Sequence, residues 1–277
     1  MVIDLGPCQN LVDLVLRDPD INANQLCINF GAHGTEGYDM TQNLGPNALP
    51  KYVQISEMLI REIAAGHLAD GARLPPERDM AADLDISVGT LRKALADLVD
   101  KGMLERVQGS GNYVRHGGTS TSVYAFFRLE LVGGGGLPTA QSLSVERLNK
   151  PRKAPYFGPS DTGHRIRRLR YLDGEMVALE EIWLDGAQTD SMTIGDLSDS
   201  LYHFYREDIG IVIASVVDEI GVGRVPDWAP NSFHLRAGTT TGFIERVSLT
   251  ATGDAVEFSR TWFDSGKSRY MSRMGKG

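Results

Sequence analysis

From Lys51 to Gly66 the apolar residues Ile55, Leu59 and Ile63 recur every fourth position, with Met58 beside them. That spacing places one apolar stripe on a helix, which Gly66 can end. A second helix opens at Pro75-Pro76, where proline fits the first turn and the acidic Glu77 and Asp79 suit its positive end; it turns Met80, Ala81 and Leu84 inward. Ser87 is placed to cap a third helix, in which Leu91, Leu95, Leu98 and Val99 keep helical spacing until Gly102 closes it. The pattern then changes to alternation. "MLERVQGSGNYV" reads as two short strands around a glycine-rich turn at Gly109 to Gly111.

Three helices followed by a hairpin is the element order of a winged helix-turn-helix, predicted here over 49–115. Residues 1–48 hold one amphipathic turn at Leu11, Leu14 and Val15 and then a stretch rich in Gly, Asn and Pro, which reads as an N-terminal extension. The segment 116–123, "HGGTSTSV", reads as a linker. From 124 to 277 short strands are separated by turns at "VGGGGLP", "YLDGEM", "LTATGDA" and "DSGKS", around one helical segment near "DLSDSLYHFYRED". Strands mixed with a helix predict a second domain of the α+β class.

A net charge of -8 excludes a protein that coats nucleic acid or anionic membrane by charge alone, so any DNA contact must be local. The cysteines Cys8 and Cys27 have neither metal-ligand nor redox spacing, which points to a reducing cytoplasm. The apolar run of the first residues is broken by Asp13 and Arg17, which does not suit a signal peptide, and no stretch is apolar enough to span a membrane. His164, His203 and His234 are scattered, "GGGG" at 133–136 lacks the residues of a phosphate loop, and Trp183, Trp228 and Trp262 suit a core. No metal or cofactor is expected.

The chemistry concentrates in two places. In the first, Arg78, Ser87, Thr90 and Arg92 lie outside the apolar set of the second and third helices. For an arbitrary arginine a solvated face is the plain explanation. Here, however, a short helix and a tight turn precede a helix whose first residues, Ser87, Val88, Gly89 and Thr90, are mostly small, with Arg92 one turn in. A major groove admits such an end, and an arginine there can fork onto guanine or a phosphate. Arg106, Gln108 and Gly109, on the hairpin, could reach the neighbouring minor groove.

The stretch "LPPERDMAADLDISVGTLRKALADLVDKGMLERVQGSGNYV" resembles the winged helix-turn-helix of the GntR family of bacterial transcription regulators. The resemblance rests on the Leu-Pro before the second helix, the Glu77-Arg78 pair, Thr90, Arg92, Leu95, Leu98, Gly102 and the wing glycines. It implies DNA contacts by Arg78, Ser87, Gly89, Thr90, Arg92, Gln108 and Gly109. Val88 stands where such proteins commonly have Arg, and Ser110 where a basic residue is frequent, which predicts a comparatively modest salt dependence of binding.

The second place is "HRIRRLRYLDGEMVALEEIWL", where Asp173-Gly174 marks a hairpin and Arg168 and Arg170 share one face of its first strand. A strict two-residue turn pairs Arg168 with Leu179, whereas a three-residue loop sets Arg168 opposite Glu180; only the second register makes a pocket. A solvent-facing salt bridge is the plain alternative. Ser200 stands at the start of the predicted helix, where an anion is favoured, and "AVEFSRTWF" puts Glu257 and Phe263 on one strand face. The motifs "RRLRYLDGEMVALEE", "SLYHFYREDIGI" and "VEFSRTWF" occur in the order of, and resemble, the UTRA effector domain of the HutC-type branch, similar in fold to chorismate lyase. The resemblance implies Arg168, Arg170 and Ser200 around a phosphate, with Glu180, Tyr202 and Glu257 bonding hydroxyl or amino groups. Phe263 replaces a common Tyr, which puts the family's phosphosugar in doubt.

The reading is a cytoplasmic, homodimeric repressor on a double-stranded DNA operator, released by a small anionic metabolite such as a sugar phosphate or carboxylate. An enzyme on the chorismate-lyase-like fold is the rival, and a DNA-binding protein whose second domain is vestigial or binds a partner is the third reading.

Overall fold

The computed structural model describes residues 49–116, 122 and 124–273. The extension 1–48 and most of the linker lie outside them.

The first unit is built on three helices, α1 (Lys51–Ala65), α2 (Glu77–Asp83) and α3 (Val88–Asp100), followed by the hairpin of β1 (Leu104–Val107) and β2 (Gly111–Val114). Ile55, Leu59 and Ile63 of α1 meet Met80, Ala81 and Leu84 around α2 and Leu91, Leu95 and Leu98 of α3 in one core. Val99, by contrast, is exposed. The Ser87 hydroxyl accepts from the Thr90 N–H at 3.0 Å, capping α3 at the turn between the helices.

The second unit is a six-stranded antiparallel sheet in the order β4-β5-β6-β9-β8-β7, made of β4 (Pro138–Asn149), β5 (Thr162–Leu172), β6 (Glu175–Asp185), β7 (Ile213–Arg224), β8 (Thr240–Thr250) and β9 (Ala255–Phe263). Two three-stranded meanders thus meet along β6 and β9. A small second sheet joins β3 (Leu129–Leu131) to β10 (Ser268–Tyr270).

The crossover from β6 to β7 returns over one face of the large sheet. The helical segment predicted there starts at Ser200 as expected and runs on as one α-turn, α4 (Leu201–Phe204), and a π-turn at Tyr205–Ile209, with a separate 3-10 turn before it at Ile194–Asp196. Leu197, Leu201, Phe204 and Tyr205 bury themselves against Ile166, Ile182 and Leu184 of the sheet, so packing rather than helix length fixes the crossover. The other face is covered by Trp228, Phe233 and Leu235, which pack on Leu169, Leu179 and Trp262. No helix among the described residues is long and apolar enough to cross a membrane.

Candidate effector pocket and DNA-reading face

The hairpin that carries the arginines resolves the two predicted registers in a third way. Asp173 and Gly174 form a strict two-residue turn, both with positive φ (47° and 77°), and Leu172 pairs with Glu175. A bulge at Val177 then shifts the ladder by one residue, so Arg170 pairs with Ala178 and Arg168 with Glu180. The extra residue is in the strand, not in the loop. Across the sheet the same row continues from Glu180 to Thr261 and Ile244.

Around this row lies a cavity walled by the sheet, by the crossover at Asp199 to Tyr202 and by the segment Tyr124 to Leu129. Arg168 gives Nε and Nη2 hydrogen bonds of 3.1 and 2.7 Å to Glu180 Oε2. Arg170, 2% exposed, donates from Nη1 to the Asp199 carbonyl at 2.8 Å and lies 3.7 Å from Glu180 Oε1, while its Nε has no hydrogen-bond partner. Burial pushes the Glu180 carboxyl up, but Arg168 and Arg170 outweigh this and hold it below its ordinary value.

At the other end, the Tyr202 hydroxyl lies 2.8 Å from Ser248 Oγ and donates to Glu257 Oε1 at 3.1 Å, to which Ser248 also donates at 2.8 Å. Burial raises the Glu257 carboxyl, with those hydroxyls pulling against it. Ser200 lines the cavity at the expected helix start, where its side chain accepts from the His203 N–H as the N-cap of α4. Phe263 shares the strand face with Glu257 as expected, yet it sits in the adjoining apolar cluster with Leu129 and Val177 and does not line the cavity. Its ring fills the space that a side chain at Gly242 would take.

Sequence reasoning missed Arg246. It lines the cavity and makes a bidentate pair with Asp218 at 2.6 and 2.7 Å, and Asp218 also accepts from the Tyr270 hydroxyl at 2.6 Å. The signal was the period-2 run Ile244, Arg246, Ser248 on an inward strand face. Asp199, which burial also raises, was missed as well; no local pattern marks it.

In the first unit Arg78, Arg92, Arg106, Gln108 and Gly109 border one concavity between α2, α3 and the hairpin, together with Arg73, which the sequence reading passed over. Ser87, Val88, Gly89 and Thr90 form the first turn of α3 beside it, with Val88 leaning against the core. Glu77 holds two of the arginines, accepting from Arg92 Nε at 2.6 Å and Arg106 Nη2 at 2.8 Å. The Arg92 hydrogen bond, with the charges of Arg92 and Arg106 and against desolvation, keeps the Glu77 carboxyl low.

A helix-turn-helix with an open basic face, on one chain with a domain enclosing a charged cavity, defines a regulator that reads DNA with one part and a small molecule with the other. The comparisons agree. Residues 51–114 match the family described as bacterial regulatory proteins, gntR family, and residues 135–268 match the UTRA domain. The chain is 56% identical over 227 residues to the HTH-type transcriptional regulator SmoD of Agrobacterium fabrum, which covers 82% of this chain and 97% of the relative. It is 27% identical over 223 residues to MngR of Escherichia coli, named as the repressor of a mannosyl-D-glycerate transport/metabolism system, over 78% of this chain and 92% of that one. The crystal structure of YydK from Bacillus subtilis aligns with 82% of this chain and all of that one, at 22% identity and a TM-score of 0.48. The protein belongs to the GntR family of bacterial transcription regulators, in the branch that carries a UTRA domain. These relatives are regulators and not enzymes, which removes the enzymatic alternative.

Proposed function

We propose that the protein is a cytoplasmic repressor, released from its operator by a small anionic metabolite rich in hydroxyl groups. Arg168 and Arg170 take the anion, while Glu180, Tyr202, Glu257 and Arg246 bond the hydroxyls; Ser200 borders the anion end. The observation that carries this reading is the cavity end where two buried guanidiniums face one firmly ionised carboxylate, Glu180, and where Arg170 Nε has no hydrogen-bond partner. The other lining carboxyls, Asp199 and Glu257, are raised by burial and give up charge more readily. Such a site favours phosphate, carboxylate or sulfonate over a cation.

The DNA end rests on Arg78, Ser87, Val88, Gly89, Thr90, Arg92, Arg106, Gln108 and Gly109, with Arg73 added. One small reading head serves a half-site, so two copies on a roughly palindromic operator follow from the geometry of the groove. The exposed Ile220 and Val222, on one face of the edge strand β7, supply apolar surface for that second copy. Relatives named as repressors support the sign of regulation.

The test is a thermal-shift screen against phosphosugars, amino-sugar phosphates, small carboxylates and sulfonates, repeated with Arg170→Ala. Stabilisation by one class, lost in the variant, is the expected result. A ligand that stabilises the variant equally would remove the arginines from the site, and silence across the panel would favour a vestigial or partner-binding domain.

A further inference from the structure

A buried contact joins the two units, and it touches the cavity wall. Arg61 of α1, 8% exposed, leaves its own helical unit and donates to three carbonyls of the other: from Nε to Gly136 at 2.6 Å, from Nη1 to Phe127 at 3.3 Å and from Nη2 to Leu129. Phe127 and Leu129 also line the cavity. One short segment therefore bonds the DNA-reading unit through its carbonyls and walls the pocket. The Phe127 ring ties the two sides together, since the Arg170 guanidinium lies 4.4 Å and the Arg61 guanidinium 5.5 Å from its centroid.

Other contacts brace the socket. Glu130 accepts both Arg273 nitrogens, at 2.5 and 2.8 Å, and the Gly135 N–H at 3.3 Å, and the His67 ring lies 3.1 Å from the Gly133 carbonyl. Burial lowers the Arg61 guanidinium, Glu130 opposes this, and the Arg170 charge lowers it further, so the two cations repel one another across the ring.

We infer that Arg61, seated on the carbonyls of Phe127, Leu129 and Gly136, is the element through which occupancy of the Arg170 pocket reaches the DNA-reading unit. It deepens the effector reading above and rests on it for the source of the signal. An anion on Arg170 relieves the repulsion across Phe127 and tightens the Arg61 socket; the ligand thereby acquires the difference in affinity between two domain arrangements that any shift of populations requires.

The experiment is hydrogen–deuterium exchange on the full-length protein, with sodium sulfate as the probe anion against sodium chloride at equal ionic strength. In the wild type, sulfate slows exchange of 51–65 severalfold. In Arg61→Gln, whose side chain is not part of the pocket, sulfate still binds by calorimetric titration, its affinity changed only by the coupling that Arg61 carried, but exchange of 51–65 no longer responds. Sulfate that binds the wild type and leaves 51–65 unchanged, or an Arg61→Gln protein that responds like the wild type, overturns the link while leaving the pocket reading intact. Absence of sulfate binding to the wild type counts against the pocket reading itself, and Phe127→Leu then decides the link without ligand. Faster exchange confined to 51–65 in that variant is the expected result, and unchanged exchange there overturns it.

Discussion

Arg168 and Glu180 face each other as directly paired residues of β5 and β6, joined by two hydrogen bonds onto a single carboxylate oxygen. Both side chains are buried, and the same carboxylate lies 3.7 Å from Arg170. Removing it strands two guanidiniums in the interior, and breaking a buried pair from one side costs about 3–5 kcal/mol. Urea unfolding of Glu180→Gln should show a loss of that size, partly restored by sodium sulfate, which supplies a replacement charge. A loss no larger than about 1 kcal/mol would place the pair in the class of solvated surface bridges.

The two acidic ends of the cavity give opposite pH signatures. Glu180 is held below its ordinary value of 4.5, so its contribution to stability is full above that value and is lost as pH falls through the folded one. Glu257 is raised above 4.5, so its contribution is full below that value and is lost as pH rises through the folded one. Unfolding free energies from pH 4 to pH 7.5 should therefore show the Glu180→Gln deficit shrinking on acidification. The stability of Glu257→Gln relative to the wild type should rise as pH increases. Parallel curves for wild type and Glu257→Gln would mean that this carboxyl titrates alike in both states.

The helix-turn-helix unit was legible because each of its elements is local: the four-residue recurrence in α1, the Pro-Pro entry to α2 and the Ser87 cap are all written in adjacent residues. The pairing of Arg168 with Glu180 was legible because both lie on one hairpin, whereas Tyr202 and Glu257 were reached through the family resemblance. The β6–β9 pairing that brings Glu257 to the site joins strands far apart in the chain and leaves no local trace. Arg246 was hidden for a related reason, since its partners Asp218 and Tyr202, distant in the chain, make a buried arginine tolerable. The helical crossover was legible because Leu201, Phe204 and Tyr205 have helical spacing, and they bury themselves against the sheet from one α-turn and the π-turn that follows it.

Val177 is the residue that turns a two-residue hairpin into a binding register. Because Val177 is the extra residue, deleting it leaves Asp173-Gly174 intact, joins Met176 directly to Ala178 in a regular ladder and keeps Arg168 opposite Glu180. The deletion variant and Val177→Ala should therefore both unfold cooperatively, the substitution losing about 0.5–3 kcal/mol, in the common range for single substitutions. Circular dichroism during thermal unfolding checks both. A deletion variant that no longer unfolds cooperatively would show that the bulge itself, and not only the register it sets, is required.

Glu77 pairs with two of the arginines proposed for DNA. Its carboxylate pairs with Arg92 on α3 and Arg106 on the wing, both largely exposed, and each such pair is worth about 0.2–1 kcal/mol in water. Phosphates compete for the same guanidiniums. Glu77→Gln should therefore tighten binding to non-specific duplex severalfold at low salt and steepen the dependence of log K on log salt by about 0.9 for each arginine that gains a phosphate. Arg92→Ala is the companion measurement: it should weaken operator binding by about 1–3 kcal/mol without changing the fold. If Glu77→Gln weakens binding and leaves the slope unchanged, the carboxylate is aiming the arginines into the groove rather than withholding them. In that case the Arg92→Ala loss and the Glu77→Gln loss should fail to add, because both variants would remove the same positioned contact.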